Sequence, residues 1–504
     1  MSTDVLIAGA GPVGLAMASE LARYGMSVRI IDKNDARTDK SKALVIWART
    51  LELMERMGPG CAEKFVAAGM KVEGANILQR RDTVGHVDLT QIESRYNFAL
   101  MLPQSETERL LEEHLAGLGV KVERQTELMK FSAGSENVAC TLFSGGQEEI
   151  LEPRWLIGCD GAHSAVRHGL GMEFSGSTML VDWILADIHL DGLSGPPAVD
   201  IWWDSDGVLA MFPIKPGRCR VIADIGPSKI QSGPANRPEP TLAEVQAILD
   251  KRGPGDLKAS DPVWLAGFTI NERKVANYRS GRIFLAGDAA HVHSPAGGQG
   301  MNTGIHDACN LAWKLAMFAH GACADEPVLA SYSPERSGIG KILLEATGRA
   351  TSIAVLKGGV AQSIRNHIAS LVLGFSPVRR ELASVLSEVA IGYPESPMNA
   401  QHPAHISGGP KLGHRAPRRD GEAPFGAGRT PLFALCSGDP GNARCVLVKY
   451  PGVVEPDPRA PYAESGMWLV RPDGYVAMVA RAGDWAELDR YLAWLAGTKA
   501  VSAH

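Results

Sequence analysis

Arg282-Ile-Phe-Leu-Ala-Gly287-Asp288-Ala-Ala-His291-Val-His293-Ser-Pro295-Ala-Gly297-Gly298-Gln-Gly300-Met301-Asn302-Thr-Gly304 leads into Ile-His-Asp-Ala-Cys-Asn-Leu-Ala-Trp-Lys-Leu-Ala-Met-Phe318. The apolar run Ile283 to Ala286 has the length of a buried strand. An aspartate just beyond its carboxyl end places a carboxylate in the crevice where α/β sheets bind ligands. Gly297, Gly298 and Gly300 then let backbone lie against a ligand with no Cβ in the way. Ile305, Ala308, Leu311, Ala312, Leu315 and Ala319 recur at helical spacing. The helix is therefore predicted to begin near Met301 or Asn302, its free N–H groups and positive dipole end facing whatever the glycines cradle. Such a site suits a flat cofactor that becomes negative at one edge and carries hydroxyls for Asp288.

A matching pattern opens the chain. Asp4 to Ala8 reads as a strand, Gly9-Ala-Gly11-Pro12-Val13-Gly14 opens a helix with Leu15, Ala18, Leu21 and Ala22 on one side, and Val28 to Ile31 is a second strand ending at Asp32 and Lys33. This is the dinucleotide fingerprint: Gly9 for the tight turn, Gly11 to admit a pyrophosphate, Gly14 for close helix packing. Asp32 stands about 20 residues on, where a carboxylate binds a ribose hydroxyl. Taken alone, the fingerprint holds NAD or FAD equally well.

The two stretches together resemble the first and second FAD motifs of single-component flavoprotein aromatic hydroxylases, the family of p-hydroxybenzoate, phenol and polyketide hydroxylases. Reduced flavin answers the description of the cofactor above. The resemblance implies that Asp288 binds the ribityl and ribose region of FAD, that Pro295 lies beside the reacting ring, and that backbone from Gly300 through Met301 to Asn302 faces the pyrimidine edge. Ser41-Lys42-Ala43 resembles the segment that brings an arginine to the FAD diphosphate; here that position is Lys42, which keeps the charge but loses the planar fork. Gln104, in Leu102-Pro103-Gln104, matches the glutamine that reaches the ribityl chain. Trp155-Leu-Ile-Gly158-Cys-Asp160-Gly161-Ala-His-Ser164-Ala-Val-Arg167 resembles the Asp-Gly motif of FAD and pyridine-nucleotide binding, carried by Asp160 and Arg167. Trp47 sits where relatives turn a side chain toward substrate.

Between Val181 and Ala276 the chain changes character. Residues 184–190, 199–203, 208–213 and 219–224 read as strands of mixed alternation, separated by Gly-Pro breaks at 195, 226 and 233. They resemble the antiparallel sheet that covers the flavin and walls the substrate pocket; alternation offers Trp203, Met211 and Pro213 for that wall. Thr241 to Leu249 reads as an outer helix. Val120 to Val122 and Val138 to Phe143 are expected in a small antiparallel layer. Helical periodicity from Tyr332 to about Ile391, broken at Gly358-Gly359 and Ser376-Pro377, suggests a helical layer closing the pocket.

The implied architecture is an α/β fold: a Rossmann-like FAD-binding domain with an inserted antiparallel substrate sheet, a helical layer and a C-terminal thioredoxin-like domain. The expected boundaries are 1–180 and 277–392 for the FAD domain with its helical layer, 181–276 for the sheet, 393–430 for a Pro/Gly-rich linker, and 431–504 for the last domain. There, Val446 to Tyr450, Trp468 to Val476 and a helix from Leu488 to Leu495 are its expected parts. Cys436 and Cys445 do not form the Cys-x-x-Cys that thiol exchange needs, so that domain is expected to be redox-silent.

Composition excludes several other classes. The 504 residues leave room for about two or three domains, and 45% hydrophobic with 21% charged residues is ordinary for a globular enzyme. A net charge of −5 without basic runs argues against nucleic-acid or anionic-membrane partners. Eight scattered cysteines without metal-like spacing point to a reducing cytoplasm and no metal. No stretch approaches the roughly 18 apolar residues of a membrane span, and Asp4 with early glycines is unlike a signal peptide.

The resemblance implies an NADH- or NADPH-dependent monooxygenase, acting as a monomer or homodimer. It would use FAD and O₂ to hydroxylate a phenolic or polycyclic aromatic substrate through C4a-hydroperoxyflavin. Epoxidation, reduction, halogenation, or simple sequestration of an aromatic compound are the alternatives. Trp202 and Trp203 are adjacent, unlike the Trp-x-Trp of flavin halogenases.

Overall fold

Val5–Ala8 is a wholly buried strand at the centre of a parallel sheet, hydrogen-bonded to Val28–Ile31 on one side and Trp155–Gly158 on the other. Its four apolar residues in a row are what a strand covered on both faces requires. The computed structural model describes residues 3–39, 41–79, 82–193, 195–204, 207–228, 239–295, 297–323, 325–340 and 376–497. Among them the sheet has six strands, in the order Arg279–Ser280, Ile283–Leu285, Trp155–Gly158, Val5–Ala8, Val28–Ile31, Val122–Glu123. The three glycine-bearing motifs thus leave from the carboxyl ends of three adjacent strands, Ile283–Leu285, Trp155–Gly158 and Val5–Ala8.

Val122–Glu123 corrects one expectation. It pairs in parallel with Val28–Ile31, because the helix Gln104–Gly117 returns the chain to the sheet edge as a crossover. The small antiparallel layer is instead Thr126–Ala133, Val138–Ser144 and Gln147–Leu151.

Two helices pack against each other beside the parallel sheet. Pro12–Arg23 starts with proline at its first position, where no N–H is needed. Gly300–Ala319 is buried from Met301 through Met317. A helix apolar on most sides belongs inside a protein; its polar exceptions, Asn302, Thr303, His306, Asp307, Asn310 and Lys314, are all paired.

The second large sheet has eight strands. Its central members are Ser175–Asp191, Arg218–Pro227, Gly207–Lys215 and Val199–Asp204, flanked by Lys258–Lys274 and His291–Val292 on one side. On the other side, Gly74–Gln79 pairs in parallel with Val199–Asp204 and carries the hairpin strand Asp82–Asp88. Leu242–Arg252 packs on its outer face, started by a full capping box between Thr241 and Glu244.

Residues 332–340 are helical, and a further helix, Ser376–Leu386, begins where a break was expected. The expected break at Gly358-Gly359 and the Gly233-Pro234 turn lie outside the described residues. From Tyr393 to Pro431 there is no named helix or strand, yet the segment is tied down along its length. Arg23 donates to the Gly426 and Gly428 carbonyls at 3.0 and 2.7 Å, Arg415 pairs with Glu52, and Arg418 with Glu55. It behaves as a strap.

Beyond the strap, Ala434–Cys436, Gly466–Val470 and Val476–Arg481 form a three-stranded antiparallel sheet with helices Pro440–Leu447 and Trp485–Ala496. Val446 and Leu447 therefore end a helix, and the stretch Trp468 to Val476 folds as a hairpin around a turn. This unit joins the rest through a buried ion cluster. Arg471 donates to both Glu335 oxygens (2.7 and 3.0 Å) and to Asp473, while Lys314 reaches Glu335 at 2.7 Å.

Candidate functional site

A cleft crosses the carboxyl ends of the parallel strands as two adjoining cavities of about 360 and 430 Å³. Gly11, Lys42, Gln104, Cys159 and Gly161 line both. The first cavity holds Gly9, Asp32, Lys33, Arg37, Arg124 and Asp160; the second holds Pro12, Val13, Asp288, Pro295, Gly300 and Met301. Residues from all three motifs, from Gly9 to Met301 in sequence, thus share one elongated groove.

The first turn is built for close backbone approach. A Cβ on Gly9 would lie 2.4 Å from the Cys159 carbonyl, and one on Gly14 only 1.9 Å from the Gly9 carbonyl, whereas Gly11 faces open space. Asp32 holds this turn: its Oδ2 accepts from Ala10 N–H at 2.9 Å, and its Oδ1 accepts from Asn34. Lys33 and Lys42 are exposed to the groove. Val13 seats against Gly287 and Gly304, where a Cβ would come within 2.8 and 2.5 Å of it.

Asp160 and Arg167 separate in role. Asp160 Oδ2 accepts from Val166 N–H, while Oδ1 is buried in the groove wall without a partner. Arg167 turns inward and holds the carbonyls of Ala289 and Ala162, so it braces the Asp288 turn from behind and does not face the groove. Gln104 lines the groove, with its side-chain amide engaged by Ala43 N–H and Glu108.

At the other end, Asp288 is exposed to the groove on one side and hemmed in by protein on the others. That enclosure raises its carboxyl above the ordinary aspartate value, with His291 and Lys42 pulling the other way. Pro295 stands on the cavity wall, its carbonyl closing a turn onto Gly298 N–H at 2.9 Å. Gly300 and Met301 present the start of the buried helix, where N–H groups lack intrahelical carbonyls. Asn302 spends its side chain on protein: Oδ1 accepts from Trp47 N–H, and Nδ2 donates to the Val45 and Gly298 carbonyls, each at 2.9 Å.

Trp47 is 6% exposed, and its indole N–H holds the Gly297 carbonyl at 2.8 Å. It fixes the glycine loop and does not wall the pocket. Met211 is corrected too: it packs on the face covered by Leu242–Arg252. Pro213 pairs with Cys219 on that same parity. The residues that reach the cavity from the large sheet are their neighbours Phe212, Arg220 and Ile222. Trp203 is on the inner parity, beside Val208, in an aromatic cluster with Trp183 and Phe268.

Two features were not anticipated. Arg220, 1% exposed, forms a bidentate pair with Asp187 (2.7 and 2.8 Å) and donates to the carbonyls of Ser41 and Lys42. It thereby clamps the large sheet to the loop carrying Lys42. Asp307 accepts from Gly287 N–H at 2.9 Å and Arg336 Nε at 2.6 Å, and lies 2.8 Å from His291 Nε2. Despite burial, Arg336 and His291 hold its carboxyl down at about 2. Both had a mark in the sequence: an arginine inside a strand, and an aspartate inside an apolar helix.

The arrangement fits FAD. The turn at Gly11 leaves space for a pyrophosphate, the orphaned Asp160 Oδ1 and the partner-poor Asp288 await donors, and a helix start faces the far end. Among the described residues no cluster could hold a metal ion, and no helix is long and apolar enough to cross a membrane.

Comparison with known proteins agrees. The profile of a family described as FAD binding domain matches residues 2–347. The chain is 36% identical to 6-methylpretetramide 4-monooxygenase from Streptomyces rimosus, over 80% of this chain and 73% of that one. It is 32% identical to 12-dehydrotetracycline 5-monooxygenase/anhydrotetracycline 6-monooxygenase from Streptomyces rimosus subsp. rimosus, covering 95% and 96%. The solved structure of anhydrotetracycline hydroxylase from Streptomyces rimosus superposes with a TM-score of 0.76 at 28% identity, over 99% of this chain and all of that one.

Proposed function

Because the chain belongs to the FAD binding domain family and is a flavin-dependent aromatic monooxygenase, we propose that it hydroxylates a phenolic or polycyclic substrate with NADH or NADPH as electron donor. The observation that carries this reading is the continuity of the groove. It runs from a ribose-type carboxylate, Asp32, to a helix start at Gly300 roofed by Phe212 and Ile222 of the large sheet.

In this reading Gly9, Gly11, Pro12, Val13 and Gly14 form the pyrophosphate turn, Asp32 and Lys33 flank the adenosine ribose, and Lys42 neutralises the diphosphate. Gln104, Asp160 and Asp288 bind ribityl and ribose hydroxyls. Backbone N–H groups from Gly300 to Asn302 stabilise negative charge at the inner end. Pro295 and the apolar roof shape the space for the aromatic ring and exclude water from it. FAD, when bound there, supplies the redox chemistry that draws electrons from the nicotinamide and activates O₂. The donor docks without a nucleotide-binding domain of its own, and the enzyme works in the cytoplasm as a monomer or homodimer.

NAD(P)H oxidation should be slow alone and rise several-fold with the right phenol, and the product should gain one oxygen from ¹⁸O₂ and none from labelled water. Stimulated oxidation yielding only hydrogen peroxide across a wide panel of phenols, or halogenation or epoxidation of another class, would overturn the hydroxylase reading.

A further inference from the structure

His293 stands in the cavity wall between Asp288 and Pro295, and the reading above gives it no task. Its Nδ1 lies 3.0 Å from the Ser294 carbonyl. A carbonyl can only accept, so Nδ1 carries the hydrogen and Nε2 keeps its lone pair. That Nε2 is buried and has no partner. It lies beside the start of the buried helix: a Cβ built on Gly300 would be 3.7 Å from the ring's Cε1 and 3.8 Å from Nε2.

The surroundings keep the ring neutral. His291 stacks on it with centroids 6.1 Å apart and planes 8° from parallel, and His291 is itself bound to Asp307. Burial, aided by His291, pushes His293 down to about 4, so protonation at neutral pH does not satisfy Nε2. A buried acceptor left alone forfeits the hydrogen bond it would make to water. Buried ring nitrogens of His114, His291 and His306 are unpartnered as well, but of these four histidines it is His293 that lines the cavity, where a ligand can reach its Nε2.

We propose that His293 Nε2 accepts a hydrogen bond from an O–H or N–H donor of the ligand filling this end of the cavity, and so is a ligand-binding residue. The inference rests on the flavoprotein monooxygenase reading. The donor belongs either to the flavin or to a hydroxyl of the aromatic substrate, and the two sources are separable by experiment.

The variants are His293→Phe, which keeps a ring but no nitrogen, and His293→Gln, which restores an acceptor; His293→Leu replaces the former if it does not fold. The first readout is FAD affinity of the apoprotein by fluorescence. The second is binding of 2-naphthol and of 2-methoxynaphthalene to the FAD-loaded enzyme, followed by the flavin spectrum without NAD(P)H. If the flavin is the donor, His293→Phe weakens FAD about tenfold, ~1.4 kcal/mol, and His293→Gln recovers most of it. If the substrate is the donor, FAD affinity is unchanged. Wild type then prefers the naphthol over the ether about tenfold, and His293→Phe, unlike His293→Gln, loses that preference. Unchanged FAD affinity in His293→Phe overturns the inference if the preference survives there, or if wild type treats the two probes alike or binds neither. Failure of the wild-type apoprotein to bind FAD at all would instead strike the flavoprotein reading.

Discussion

Asp288 joins two requirements seldom met by one carboxylate: access to a ligand groove and enclosure enough to raise its proton affinity. Hydroxyls donated to it would favour its charged form. Asp288→Ala should therefore lower FAD affinity by tenfold or more, ~1.4 kcal/mol, measured by fluorescence titration of the apoprotein; full FAD loading of the variant would remove that role. Glu388 makes a second prediction, this time about pH. It is buried near the helix start, accepts from Thr303 at 2.9 Å, and lies 3.3 Å from His306, on a backbone with φ +62 that few non-glycine residues adopt. Burial raises its carboxyl to about 8, with Arg336 and the Thr303 hydroxyl opposing and Asp307 reinforcing. A carboxyl whose folded value is raised holds its proton in the folded state after the unfolded chain has lost it. Its stabilisation is complete below the ordinary glutamate value and is lost as pH climbs toward about 8. Glu388→Gln should abolish that slope, so wild type loses stability relative to the variant between pH 5 and 8 in chemical denaturation. Parallel curves would show that Glu388 titrates normally.

Among the elements, the strand Arg218–Pro227 connects pocket wall and cofactor loop, because Arg220 spans Asp187 and the carbonyls of residues 41 and 42. Removing one partner of a buried pair leaves the other charge uncompensated, about 3–5 kcal/mol. Arg220→Ala should thus lower the denaturation midpoint and weaken FAD together, whereas Arg220→Ala with Asp187→Ala should recover part of the stability without the FAD affinity. Identical FAD binding in wild type and Arg220→Ala would mean that the Lys42 loop holds itself. The strand–glycine–helix motifs were legible in sequence because turn, helix start and carboxylate lie within one local run. Pocket walls were not. Alternation separated Met211 from Phe212 but could not say which parity faces the helix Leu242–Arg252. The parallel pairing of Gly74–Gln79 with Val199–Asp204 joins segments more than a hundred residues apart and leaves no local mark. Lys258–Lys274 likewise hides a strand behind Pro262 and irregular alternation.

For the whole molecule, the C-terminal unit is anchored by charge as well as by packing. Glu335 is held far below its usual range by Arg471 and Lys314 in spite of burial, and Asp473 takes Arg471 and the Trp313 indole N–H. A separate cavity of about 430 Å³ at this junction is lined by arginines already paired with glutamates, Arg415 with Glu52 and Arg418 with Glu55. Arg471→Ala should cost about 3–5 kcal/mol, read by denaturation, and FAD release should follow the same transition because the cluster grips the central helix. FAD retained through loss of the C-terminal fold would show two independent units.

The ion cluster also limits recombination. Lys314 and Glu335 come from the family-matched part of the chain, Arg471 and Asp473 from beyond it, and each is buried. A chimera grafting a relative's tail onto residues 1–430 would keep Lys314 and Glu335 and would need an arginine and an aspartate in the incoming tail to complete the charge-balanced set. Hybrids whose tail lacks either partner should express poorly, so tails are exchangeable only where the incoming unit brings the matching pair.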